Sequence, residues 1–223
     1  MPPLYALSKL TVGNVLRLCW RPTVHGLSHV PRAGGAILAG NHLSVADELF
    51  LGAVVPRHIA FWAKAEYFSG RGLRGGLTRA VVAGMGAIRV ERGGGRAALA
   101  AFDAAVPVLR AGGLVAVYPE GTRSPDGRLY RGRTGVVRLA RQAGVPIIPV
   151  GVLGTDEVQP VDARFPRLGV VTFRFGEPID VTGRTDGPAA IRAVTDEVMA
   201  RIQELTGQQY VPRYAPRRDA VPA

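Results

Sequence analysis

From residue 36 to residue 206, short apolar runs alternate with longer segments of helical pattern, and this alternation constrains the fold most. Ala36-Ile37-Leu38-Ala39 and the runs at 58–63, 86–90, 114–118, 145–152 and 169–175 read as strands. The first of these, a short apolar run, is best read as a buried strand. The segments near 47–54, 65–83, 96–111, 133–143 and 188–206 read as the covering helices. Strands and helices in turn predict an α/β fold: a single layered domain over 22–207, with a largely parallel central sheet flanked by helices. A chain of 223 residues can bury such a core.

Two flanking segments differ. Residues 1–21 read as one N-terminal amphipathic helix, its apolar residues edged by Lys9 and Arg17 and closed by Trp20, Arg21 and Pro22. Such a helix suits the membrane interface. Residues 208–223 carry Pro212, Pro216 and Pro222 among arginines and read as an irregular basic tail. No apolar run approaches the length of a membrane span, and the start lacks a secretory pattern. The expected location is the cytoplasmic face of the cell membrane, peripherally bound.

In open parallel sheets, ligands gather at the carboxyl ends of strands. His42, Arg92 and Glu120 each follow a predicted strand, so three polar motifs should converge on one cleft. In the first, Asn41 to Asp47, the helix start at Asp47 can return its carboxylate to the ring of His42. An imidazole steered in this way is a general base for a hydroxyl that the substrate itself supplies. In the second, Tyr118 to Ser124, Gly121 permits close backbone approach and Thr122 and Ser124 offer hydroxyls. Arg123 offers the planar fork suited to phosphate. Glu120 would repel phosphate directly, so it is expected to orient an arginine or to accept a bond from an acceptor hydroxyl.

The remaining residues exclude several classes. Cys19 is the single cysteine, so neither an intrachain disulfide nor a Cys-based metal centre is available. His25 and His29 stand four apart, but Gly26 and Pro31 argue against a metal-binding helix there. Gly93-Gly94-Gly95 lacks the Lys-Ser/Thr of a phosphate-binding P-loop, and no Gly-x-Ser-x-Gly elbow occurs. The net charge of +11, from 28 basic and 17 acidic residues, favours an anionic partner. The arginines are spread along the chain without interleaved aromatics, which speaks against nucleic acid and for phosphorylated or lipid ligands.

Four blocks in order resemble the glycerolipid acyltransferases, typified by the 1-acylglycerol-3-phosphate acyltransferase type. They are His-x4-Asp (His42 to Asp47), Gly-x-Ile-x-Val-x-Arg (ending at Arg92), Glu-Gly-Thr-Arg-Ser (Glu120 to Ser124) and Val-Pro-Ile-Ile-Pro-Val (Val145 to Val150). The resemblance covers roughly residues 22 to 180. It implies transfer of a fatty acyl group from acyl-CoA or acyl-carrier protein to the free hydroxyl of 1-acylglycerol 3-phosphate, giving phosphatidic acid. Another lysophospholipid, a lyso-aminolipid or glycerol 3-phosphate is the alternative acceptor. It implies His42 as general base with Asp47 as its partner, acceptor binding by Arg92, Glu120, Gly121, Thr122 and Arg123, and a site shaped by the block around Pro146. It implies no metal, no cofactor and no acyl-enzyme. The chain departs from the pattern at Arg89, a position often apolar or aromatic in such enzymes.

Overall fold

The structure is a computed structural model and describes all residues except 70–71, 91–94, 161–162, 164 and 217–223. In chain order the elements begin with α1 (Pro3–Leu10), α2 (Val12–Trp20) and β1 (Thr23–His25). Next come β2 (Ala36–Gly40), α3 (Ala46–Val54), β3 (Ile59–Ala60), β4 (Trp62–Lys64), α4 (Glu66–Ser69), α5 (Gly72–Gly84) and β5 (Ile88–Val90). The chain continues through α6 (Gly95–Arg110), β6 (Leu114–Val117), β7 (Leu129–Tyr130), α7 (Gly135–Ala143) and β8 (Ile147–Leu153). It closes with α8 (Thr155–Val158), β9 (Thr172–Phe175), α9 (Gly187–Thr206) and β10 (Tyr210–Val211).

The expected α/β architecture is present. The main sheet has the order β1-β9-β8-β2-β6-β3 and is parallel throughout except where β8 meets β9. Strand β2 lies between β8 and β6, and its residues are buried along their whole length. Ile37 and Ala39 enter the core beneath α6, α7 and α9; Ala36 and Leu38 enter the core beneath α3. This two-residue alternation explains why a sheet covered on both faces reads as unbroken apolar runs.

Three local expectations change. The single N-terminal helix is two, broken at Thr11, whose ψ of −82° leaves the helical region. The break folds α2 back onto α3, with Gly13 buried between the helices. The apolar run at 58–63 is not one strand. β3 joins the main sheet, whereas β4 leaves it to pair with β5 as a separate parallel ribbon. The segment that precedes Arg92 therefore belongs to this ribbon, and Arg92 itself lies outside the described residues. Finally, residues 208–216 are not irregular throughout, because β10 pairs in parallel with β7.

Candidate active site

Strand β2 delivers the chain to Asn41, whose side chain is fully buried and closes a two-way amide clamp on β8. Its Nδ2 donates to the Val152 carbonyl at 2.8 Å, and its Oδ1 accepts from the Val152 N–H at 2.8 Å. The next residue, His42, is thereby fixed above the sheet edge. Asp47, in the first turn of α3, returns to it as the sequence spacing suggests. The His42 Nδ1–H donates to Asp47 Oδ2 at 2.7 Å, and the same oxygen accepts from the N–H groups of Leu43 (2.8 Å) and Ser44 (3.0 Å). The carboxylate is completely buried while the imidazole keeps 16% exposure. A proton held at Nδ1 leaves Nε2 as a lone-pair base. One face of the ring is covered by Tyr118, stacked at 3.9 Å between centroids and 11° from parallel.

The second motif is stitched to the first. The Ser124 N–H donates to the His42 carbonyl at 2.7 Å, and the His42 N–H donates to Glu120 Oε2 at 3.3 Å. Glu120 Oε1 accepts from the Tyr130 N–H at 2.8 Å. The resemblance implies a place for Glu120 in acceptor binding; in the structure its side chain faces inward. It is fully buried, and both of its oxygens are committed to backbone N–H groups of the protein. Burial lifts its carboxyl to about 7, against the two N–H donors that favour the anion. Gly121 makes the following turn at φ +77°, and a Cβ there would come within 3.0 Å of Arg133 Nε. Thr122 is half-buried beside it.

Arg123 leaves this loop to line the same cavity as His42. The cavity has a volume of about 710 Å³ and runs along one face of α3, past Val45, Glu48, Leu49, Gly52 and Ala53. Its far wall is apolar, with Val12 and Leu16 of the N-terminal helices and Phe61, Val81 and Met85. His42 and Arg123 thus line one slot, much of whose wall is apolar. Glu48 also faces this slot, a residue for which sequence reasoning gave no role beyond the helix dipole. Burial raises its carboxyl, and the nearby His42 and Arg123 pull it back. Its sequence signal is one step of helix rotation from Asp47, which turns it from the imidazole toward the cavity. Among the described residues no group of three or more His, Cys, Asp and Glu is placed to hold a metal ion.

At the other end of α3, two cations from the N-terminal helices cap its last carbonyls, as the helix macrodipole favours. Lys9 Nζ donates to the carbonyls of Gly52 (3.1 Å) and Val55, and Arg17 Nε donates to Ala53 (2.8 Å). Burial lowers the Lys9 ammonium to about 8. Leu7 and Leu10 of α1 and Val15 and Leu18 of α2 are exposed. No helix among the described residues is long and apolar enough to cross a membrane.

Comparison with known proteins gives one consistent answer. Residues 21–153 match the model of the family described as Acyltransferase. The chain is 30% identical over 133 residues to the 1-acyl-sn-glycerol-3-phosphate acyltransferase of Borreliella burgdorferi, covering 60% of this chain and 51% of that one. It is 29% identical over 192 residues to the alpha form from Mus musculus, covering 83% and 65%. The crystal structure of the 1-acyl-sn-glycerophosphate acyltransferase PlsC from Thermotoga maritima superposes with a TM-score of 0.70 at 26% identity, over 90% of this chain and 79% of that one. The chain spans about half the length of several curated relatives it matches.

Proposed function

The chain belongs to the acyltransferase family, and from that premise we propose that it moves a fatty acyl group from an acyl thioester to the free hydroxyl of 1-acylglycerol 3-phosphate. The product is phosphatidic acid. The observation that carries this reading is the His42–Asp47 pair opening into a cavity that also holds Arg123. His42 Nε2 takes the proton of the acceptor hydroxyl as its oxygen attacks the thioester carbonyl carbon. The tetrahedral intermediate then collapses, the C–S bond breaks, and the imidazolium returns the proton to the departing thiolate. Asp47 holds the tautomer and offsets the positive charge on the ring. Arg123 grips the acceptor phosphate, and the hydrocarbon wall of the slot takes an acyl chain.

The donor is acyl-CoA or acyl-carrier protein, each of which presents the same thioester. The exposed leucines and valines of α1 and α2, together with the excess of basic residues, favour peripheral attachment to an anionic membrane surface on the cytoplasmic face. A second reading keeps the chemistry but changes the acceptor to another lysophospholipid or a lyso-aminolipid. Glu48 favours it, since an acid facing the same slot as Arg123 disfavours a doubly charged phosphate. The deciding experiment supplies a pool of lyso-acceptors with both donors and identifies the product by mass spectrometry. Phosphatidic acid, lost in His42→Ala, is the expected result. A protein that acylates no acceptor, or a His42→Ala variant of unchanged turnover, contradicts the reading.

A further inference from the structure

The family match ends at residue 153, yet after α9 the chain returns to the catalytic loops. We propose that residues 208–216 are a positioning element for catalysis, pairing with β7 so that Glu120, and through it the backbone of His42, is held in place. This rests on the reading of His42 as the general base.

The connections form a continuous series. The Leu129 N–H donates to the Gln209 carbonyl at 3.0 Å, and the Arg131 N–H is shared between the carbonyls of Val211 (3.1 Å) and Arg213 (3.0 Å). Gln208 Nε2 donates to the Gly127 carbonyl at 2.6 Å. Val211 and Ala215 bury themselves with Tyr130 in a small apolar cluster separate from both faces of the main sheet. The Tyr214 ring faces the guanidinium groups of Arg131 at 5.6 Å and Arg133 at 5.0 Å. Between these contacts, the Tyr130 N–H points at Glu120 Oε1, and the other oxygen of Glu120 receives the His42 N–H.

Among the described residues β7 has no partner strand except β10, and two residues cannot hold a strand by themselves. The loop has other bonds, from Arg128 and the Tyr130 hydroxyl to Asp126, from Ser124 Oγ to the Arg128 carbonyl and from the Arg133 N–H to the Pro119 carbonyl, but none of them meets the Tyr130 N–H or the Glu120 carboxylate. If β10 leaves, Tyr130 loses the strand pairing and the apolar contacts with Val211 and Ala215 that fix the direction of its N–H. Glu120 then keeps a single donor inside the protein, a costly state for a buried carboxylate. The carboxylate shifts or takes up a proton, and either change slackens its hold on the His42 amide.

The test uses the full-length protein with Val211→Ala, with Tyr214→Ala at a partly exposed position, and with Tyr214→Phe as the conservative control. Hydrogen exchange at the amides of His42 and Tyr130 should accelerate in the two alanine variants and remain as in wild type in Tyr214→Phe. In the acyl-transfer assay kcat should fall roughly fivefold or more with little change in acceptor KM. Val211→Ala added to Glu120→Gln should lower kcat no further than Glu120→Gln alone, because both act on one tether. Unchanged exchange at those two amides, or losses that multiply in the double variant, overturns the proposal. The exchange measurement needs no substrate, so a protein without acyltransferase activity would remove the catalytic reading and still leave the tether tested.

Discussion

The rings of His42 and Tyr118 lie stacked, 3.9 Å apart and 11° from parallel. The phenol ring covers that face of the imidazole and fixes the plane in which Nε2 presents its lone pair. The buried Tyr118 hydroxyl has no hydrogen-bond partner among the described residues, so the ring rather than the oxygen does this work. Tyr118→Phe should keep kcat within about twofold and add about 1 kcal/mol of stability by removing an unsatisfied polar group. Tyr118→Leu should lower kcat by about tenfold. Steady-state kinetics and thermal melts of the two variants check both statements.

Asp47 serves three donors with one oxygen. Asp47→Asn keeps the size and can offer its carbonyl oxygen to the same three donors, but it removes the negative charge that offsets the imidazolium. Its kcat should fall by roughly 10³ to 10⁴, as for the buried acid of a catalytic triad, with a near-native melting point. Asp47→Ala strands those donors and should also cost about 3 kcal/mol in urea unfolding.

Glu120 links stability to pH. Its folded carboxyl at about 7 lies above the ordinary 4.5, so the folded chain binds this proton more tightly than the unfolded chain does. Its contribution is therefore fully present below about pH 4.5 and is lost as pH rises through about 7, on the order of 3 kcal/mol in all. Glu120→Gln removes this slope. Urea unfolding at pH 5 and pH 8 should show the variant gaining on wild type at the higher pH, while its turnover is reduced.

The opposed charges in the cavity predict opposite effects on a phosphate acceptor. Arg123→Ala should raise its KM by tenfold or more through loss of a charge-assisted bond. Glu48→Gln should lower that KM by removing a negative charge from the same slot. A Glu48→Gln variant with an unchanged ratio of phosphate to zwitterionic acceptor turnover would discard the role of Glu48 in acceptor choice.

Leu10 and Leu18 are 69% and 73% exposed. If α1 and α2 rest in lipid, each side chain contributes about 1.5 to 3 kcal/mol when buried there. Replacing either with Glu should lower co-sedimentation with anionic vesicles by at least tenfold, and raised salt should weaken the remaining binding.

The strand ends, the His42–Asp47 spacing and the Arg123 loop were legible in the sequence because each rests on local pattern. A strand period places a motif at a sheet edge, and five residues across a helix start return a carboxylate to a ring. The role of Glu120 was not legible. Its neighbours in the chain are polar and small, and only the arrival of Tyr130, ten residues later, shows that it faces inward. The break at Thr11 was hidden because apolar residues recur on both sides of it and no proline marks the position. The division of 58–63 between two sheets was hidden because an apolar run does not record which neighbour it pairs with. The tail reads as irregular because β10 is only two residues long and its partner is equally short.

Lys9 and Arg17 grasp the last carbonyls of a helix whose first turn carries Asp47, about 8 to 12 Å away along a stiff rod. The opening residues thus hold a lever whose other arm ends beside the proton-accepting ring. Fusing a tag there, trimming it, or floating it in detergent should be felt in turnover, and preparations that differ only at that terminus are not interchangeable.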